Sequence, residues 1–333
     1  MIRIGILSFA HHHGEAYIAN LRRMEDVELL GVADDDITRG EQIASQNEAR
    51  FYPSYEALLA AKPEGVIICT ENNRHRPLVE MAASRGIHIL CEKPIATTLD
   101  DAQAIVDTCD QAGVLLMTAF PLRFSAPLLE IKARLDNGDF GDIYCFNGTN
   151  RGELPTKHRA WFVDPVLGGG GAIMDHTVHL VDSMRWFTGS EVATMYARSN
   201  RIFHAEEVQV ETGALEMLTF ENGVFATIDA SWSRPPYWPT WGGLEFEMVT
   251  QRGAVVVDAF RQNLNVYRHD WQRSNWAYWG SDSNHAMVSE FVAAIREDRT
   301  PRVTGVDGLR AVEATLAAYE SVRTGQTVQI KNT

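Results

Sequence analysis

The sequence predicts a two-part chain: a parallel, doubly wound α/β sheet over residues 1–120, then an α+β unit with an open, mostly antiparallel sheet over 121–333. Three observations predict it. Short apolar runs alternate with helical periodicity up to about residue 120, closely spaced β-like segments follow, and 333 residues exceed what one ordinary core encloses.

In the first part, strands are expected at 3–7, 28–33, 65–69, 87–91 and 114–118, where continuous apolar runs mark strands buried on both faces. Between them, 15–24, 38–47, 55–60, 75–85 and 99–111 repeat apolar residues at helical spacing. Right-handed crossovers then put helices on both faces of one sheet. After a helix at 125–137, β-like segments are expected at 193–199, 208–220, 224–231, 244–250, 254–258 and 264–268. Turns such as Glu221-Asn222-Gly223 and Gln251-Arg252-Gly253 separate them. One helix, 172–187, interrupts this run. Helices at 283–297 and 307–323 and a strand at 327–330 close the chain, with the last helix able to pack back on the first unit.

Composition narrows the function. A net charge of -14 repels phosphate backbones and anionic lipid, which excludes nucleic acid and membrane surfaces as partners. No apolar run is long enough to span a bilayer, and the opening run is too short for a signal peptide. Cys69, Cys91, Cys109 and Cys145 lie far apart without a C-x-x-C pair, as buried thiols of a reducing, cytoplasmic compartment do.

Chemistry-bearing residues gather at expected strand ends. Glu92-Lys93-Pro94 follows the run Gly86 to Cys91; proline stops the strand and fixes its own φ, so Lys93 is presented in a defined direction at the edge where such sheets meet ligands. The first strand runs through Gly5-Ile6-Leu7-Ser8-Phe9-Ala10-His11-His12-His13-Gly14 into a helix. A G-x-G-x-x-G dinucleotide fingerprint begun at Gly5 would place Leu7 and Ala10 at its second and third positions, the leucine being a departure. His11 to His13 then flank phosphates or substrate, and no metal site is expected. Asp34, ending the second strand, is placed to accept ribose hydroxyls and favours NAD, while Arg39 nearby keeps NADP in play. Candidate cofactor contacts are Ser8, Phe9, Ala10, His13, Asp34, Thr70, Asn72, His75, Glu92 and Lys93.

Four consecutive glycines, 168–171, mark backbone passing close to something, and the helix after them sets Asp175 and His179 one turn apart. Histidine titrates near working pH, so His179 suits the base that takes a hydroxyl proton, with Asp175 orienting its ring and Lys93 stabilising charge on oxygen. Arg123, His158, Trp161 and His176 flank these motifs and join Lys93, Asp175 and His179 as candidate substrate contacts. The late aromatic residues, Trp232, Tyr237, Trp238, Trp241, Trp271, Trp276, Tyr278 and Trp279, read as core and interface before sugar platforms.

Together Glu92-Lys93-Pro94, Thr70-x-Asn72-x-x-His75, Phe120-x-x-Arg123-Phe124, Trp161-x-x-Asp164-Pro165 and Asp175-x-x-x-His179 resemble the Gfo/Idh/MocA family of nicotinamide-dependent oxidoreductases. The similarity extends to the closing Ser321-x-x-x-Gly325. It implies a Rossmann domain, an open β-sheet domain of a kind that often dimerises through its sheet, sugar or polyol substrates, and Lys93, Asp175 and His179 as catalytic groups. Departures are Leu7, Glu71 where relatives have proline, and Pro121 where many have asparagine. The expected protein is a homodimeric or homotetrameric, NAD-dependent dehydrogenase or reductase acting on CH–OH groups. A hydrolase or lyase using transient oxidation, and a non-catalytic dinucleotide sensor, are the alternatives.

Overall fold

The computed structural model describes residues 1–331 except 158, 262, 269–272 and 279, with backbone alone for 263–268 and 273–278. In the first half, β1 (Ile2–Leu7), β2 (Val27–Ala33), β3 (Phe51–Tyr52), β4 (Gly65–Ile68), β5 (His88–Cys91) and β6 (Leu116–Thr118) form one parallel sheet in the order β3-β2-β1-β4-β5-β6. The helices between them are α1 (His13–Leu21), α2 (Ile37–Gln46), α3 (Tyr55–Ala60), α4 (His75–Ala83) and α5 (Leu99–Ala112). The order reverses between β1 and β4, and ligands of doubly wound sheets bind at the carboxyl ends of the strands beside such a reversal.

Alternation along each strand divides the core between two faces. Ile4, Ile6, Ile67 and Leu90 pack towards α1 and the late helix Ser283–Glu297, through Tyr17, Ile18 and Phe291. Leu7, Val66, Ile68 and Ile89 face the other way, towards Leu58, Val79 and Ile105. Capping residues set the helix starts: Asp36, Ser54 and Thr98 each accept a first-turn N–H with the side chain. Gly113 ends α5 in the left-handed conformation.

The second half follows α6 (Ala126–Asp136) with β7 (Ile143–Gly152), α7 (Val178–Thr188), β8 (Val192–Asn200), β9 (Gly213–Phe220), β10 (Phe225–Ser231), β11 (Gly242–Thr250) and β12 (Gly253–Asp258). After β13 (Asn263–Arg268) and β14 (Arg273–Tyr278), which pair with each other, come α8 (Ser283–Glu297), α9 (Gly305–Thr324) and β15 (Val328–Gln329). The large sheet is ordered β12-β11-β7-β10-β9-β8-β15; β7 and β10 pair in parallel and its other pairs are antiparallel. One face is buried under α7 through Phe146, Leu180, Met184, Leu218, Ile228 and Phe246. Helix α9 serves both halves, with Val312 in the core of the first sheet and Ala314 and Ala318 in that of the second.

The structure departs from the expected elements in several places. The segment expected as one helix at 172–187 opens with a π-helical turn, Ile173–Thr177, before α7. The strand expected from 208 begins at Gly213, because Val208 and Val210 turn inwards to pack with Trp232 and Leu154. Two-residue β3 is too short to leave a periodic signal, and β14 is a strand not among those expected. Trp271 and Trp279 lie outside the described residues.

Candidate active site

The turn after β1 corrects the fingerprint. Gly5 lies inside the strand, where any side chain would clash with Leu58 of α3. The tight turn is made by Ser8, whose φ of 71° is one that glycine adopts without strain. The loop therefore reads Ser8-x-Ala10-x-x-His13, and Leu7 is an ordinary buried strand residue. Close helix approach is supplied by Gly14, where a Cβ would come within 2.8 Å of the Phe9 ring.

The loop is tied to its surroundings by its own amides. Phe9 N–H donates to Asp34 Oδ2 (2.9 Å), Ala10 N–H to Ser8 Oγ (3.1 Å), His11 N–H to the Cys69 carbonyl (2.8 Å) and His13 N–H to His11 Nδ1 (3.2 Å). Asp34 also accepts from Asp36 N–H (3.0 Å) and from both arms of Arg39 (2.8 and 2.6 Å). Both oxygens of Asp34 are thus engaged within the protein, so it braces the loop instead of standing open to a ribose, and Arg39 is closed on it. Asp35 and Asp36 are the exposed acids at this edge, and Asp35 meets Arg74 Nη1 at 2.9 Å.

At the carboxyl end of β4, Thr70 Oγ1, Asn72 Oδ1 and Asn73 Oδ1 are buried without a hydrogen-bond partner among the described residues. Orphaned polar atoms at the sheet's switch point fit a dinucleotide, whose ribose hydroxyls, phosphates and carboxamide supply the missing partners. These three residues would hold it.

Lys93 lies where the sequence placed it, just past β5, and is 4% exposed. Its Nζ donates to Asp175 Oδ1 at 2.8 Å and to the Asp175 carbonyl at 3.2 Å. The other carboxylate oxygen accepts from Trp232 Nε1 (3.1 Å), and His176 Nε2 stands 3.2 Å from it at an angle outside hydrogen bonding. Burial alone would raise the Asp175 carboxyl, but the Lys93 ammonium and His176 hold it well below the usual carboxylate range. Asp175 thus orients Lys93, not the ring of His179 as expected. The wider π turn spoils the one-turn stacking of residues four apart, and Nδ1 of His179 is buried without a partner among the described residues. Burial, reinforced by the Lys93 charge, pushes the His179 imidazole well below its ordinary value.

These groups share a cavity of about 180 Å³, lined among others by His12, Lys93, Phe162, His176, His179 and Trp241. Wider depressions of about 690 and 820 Å³ lie elsewhere and contain none of Lys93, Asp175 and His179.

The glycine run sets the height of the π turn. A side chain on Gly170 would clash with the Tyr319 hydroxyl, and one on Gly171 with the Glu211 carbonyl. Glu211 Oε1 in turn accepts from the N–H groups of Gly171 and Ile173 (both 3.0 Å) and from Tyr319 Oη (2.8 Å). What passes close is therefore the protein's own frame.

Other expected contacts are placed differently. Arg123 does not line the cavity: its guanidinium is buried against Asp182 (2.8 and 2.6 Å) and Asp307 (2.9 Å), tying the 121–124 turn to α7 and α9. His75 is fully buried, with Nδ1 on the Ile95 carbonyl (3.2 Å), and belongs to the support of the 92–95 turn. Trp161 donates to the Ala10 carbonyl (2.9 Å) and stacks on Phe162, covering the loop while Phe162 faces the cavity. Glu92 turns towards His13 Nδ1 (3.0 Å) and Tyr17 Oη (2.5 Å). His158 lies outside the described residues. Nothing in the sequence marked Tyr17, Glu211 or Tyr319, and Trp232 was expected only as core or interface, since each meets the site through tertiary contacts with distant segments.

Residues 2–120 match an oxidoreductase family with an NAD-binding Rossmann fold, and residues 128–256 match the GFO/IDH/MocA C-terminal domain. The chain is 31% identical to a D-xylose 1-dehydrogenase (NADP(+)) of Haloferax volcanii, over 91% of this chain and 92% of the relative. It is 25% identical to a myo-inositol 2-dehydrogenase of Thermotoga maritima, over 99% of each. The fold is shared with GenD2 of gentamicin A biosynthesis, solved with NAD, at a TM-score of 0.89 and 21% identity over 99% of this chain and 96% of that one. With a parallel sheet of this order, an acid–base cluster at its carboxyl edge and both halves matched, the chain belongs to the GFO/IDH/MocA family of NAD-binding oxidoreductases.

Proposed function

We propose that the protein is a dehydrogenase or reductase that moves hydride between NAD(H) and a CH–OH or keto carbon of a monosaccharide, polyol or close derivative. The observation that carries this reading is the meeting of Lys93 and His179 at one small cavity on the carboxyl edge of a dinucleotide-binding sheet. Its volume, about 180 Å³, is below the range of about 300–1,000 Å³ usual for drug-sized ligands and suits one small ring. Phe162 and Trp241 offer flat apolar surface to the C–H faces of such a ring. The relatives named above act, by their names, on xylose and inositol.

When bound, the nicotinamide supplies the hydride acceptor or donor. Lys93, clamped by Asp175, directs its ammonium at the substrate oxygen and stabilises charge that develops there. His179, kept neutral by burial and by the neighbouring cation, takes the hydroxyl proton during oxidation and returns it during reduction. Asp175 is a positioning residue that acts through Lys93.

The outer face of the large sheet exposes Leu215, Met217 and Phe225 on the adjacent strands β9 and β10, and Val256 is exposed on the edge strand β12, which supports assembly of two copies face to face. Four unpaired cysteines, three of them buried, support a reducing, cytoplasmic compartment. No helix among the described residues is long and apolar enough to cross a membrane.

The test is incubation of the protein with NAD or NADH and a panel of aldoses, ketoses, inositols and sugar acids, read by nicotinamide absorbance. Substrate-dependent change is expected with at least one small carbohydrate; silence across the panel with folded, cofactor-binding protein contradicts the reading.

A further inference from the structure

The loop that carries glycines in a dinucleotide fingerprint carries histidines here, and they converge on an acid. Nε2 of His11 is 3.9 Å from Glu92 Oε2, and Nδ1 of His13 is 3.0 Å from Glu92 Oε1. One donor atom from each of the three residues falls within a span of 4.8 Å. His11 and Glu92 are each 1% exposed, and His11 Nε2 has no hydrogen-bond partner among the described residues. A fully buried imidazole nitrogen left bare beside a carboxylate marks a missing ligand.

His11 Nδ1 accepts the His13 N–H at 3.2 Å in the metal-free chain, which puts the ring proton on Nε2; coordination through Nε2 moves that proton to Nδ1 and gives up this contact. The surroundings fix the carboxylate. Glu92 is held at both oxygens, by Tyr17 Oη on Oε1 (2.5 Å) and by the Lys93 N–H on Oε2 (3.1 Å). Partners of this kind orient ligands around a bound cation. His11 and His13 also line the cavity that holds Lys93 and His179, so a cation here would keep open positions on the substrate side.

We propose that His11 Nε2, His13 Nδ1 and the Glu92 carboxylate form a site for a divalent transition metal of the zinc class, at the wall of the active cavity. Two imidazoles and one carboxylate are the donor set of sites that keep a position free for an exogenous oxygen. The ion displaces the His13–Glu92 hydrogen bond, the ring proton of His13 shifting to Nε2, and offers its free position to an oxygen of the bound carbohydrate. It explains why Ser8-x-Ala10-x-x-His13 places an imidazole where a fingerprint has its third glycine.

The test is calorimetric titration of the chelator-treated full-length protein with zinc chloride, paired with the visible spectrum of the cobalt(II)-loaded protein. One equivalent per chain is expected, with intense cobalt bands of low coordination number. His11→Asn, His13→Asn and Glu92→Gln should each weaken zinc binding by about 100-fold or more while circular dichroism is unchanged. His204→Ala, which removes an exposed histidine paired with Glu207, should bind as wild type. Glu92→Gln keeps an acceptor for Tyr17 and serves if the histidine variants fail to fold. Absence of stoichiometric zinc, or wild-type binding by the folded Glu92→Gln protein, overturns the proposal. Nicotinamide turnover by the metal-free protein would leave the proposed function standing whichever way zinc behaves.

Discussion

At the scale of single residues, the site turns on how one carboxylate is shared. Asp175 spends its two oxygens on Lys93 and Trp232, which leaves His179 to be tuned by burial and by the lysine's charge. The sign follows directly: burial and a nearby cation both disfavour imidazolium, so the folded pKa lies below the ordinary value and His179 stays a base at mildly acidic pH. Replacing Lys93 by methionine removes one of the two effects. In NMR titration, the His179 midpoint of Lys93→Met should therefore move up from that of wild type; a midpoint unmoved or lowered would show that the two groups do not interact. The lysine was legible in the sequence because a strand end and a proline together leave it one direction to point. Its partner was not, since periodicity alone reads 172–187 as a regular helix and cannot announce a π turn. The fingerprint was misread for a related reason: Gly5 looked like a loop glycine, whereas its role is to let α3 approach β1.

At the scale of elements, the glycine run, the π turn and α9 act as one unit. Tyr319 from α9 gives its hydroxyl to Glu211 and accepts from Gly171 and Met174, so the turn bearing Asp175 is pinned by segments distant in sequence. Gly171→Ala would push a methyl into the Glu211 carbonyl, a backbone group that cannot rotate away. Overpacking of this kind costs about 1–3 kcal/mol, and thermal unfolding should show that loss together with reduced turnover. An unchanged melting temperature would mean that the run is not required by close packing. The sequence showed that something must pass near these glycines, but not what, because Glu211 and Tyr319 lie 40 and 148 residues from Gly171.

For the whole molecule, both halves and their order were readable because each strand type has its own pattern: continuous apolar runs in the parallel sheet, alternation in the open one. Alternation also exposes what the open sheet leaves uncovered. Leu215 and Met217 on β9 are 66% and 54% exposed and stand across from the β10 residues Asp229 and Thr227. If two sheets close on each other, Leu215→Lys with Met217→Glu should shift the protein towards monomer in light scattering, with secondary structure intact. A wild-type protein that is already monomeric at micromolar concentration would contradict the sheet-to-sheet assembly.

The central claim is that hydride transfer to the nicotinamide depends on the proton acceptor at His179 and the cation at Lys93. Single-turnover formation of reduced nicotinamide, measured with saturating NAD and the best carbohydrate of the panel, tests it most directly in wild type, His179→Asn and Lys93→Met. His179→Asn is expected to bind cofactor as wild type does, and both variants, compared at saturating NAD, to form reduced nicotinamide about 10²–10⁴-fold more slowly. Variants that transfer hydride at the wild-type rate would contradict it.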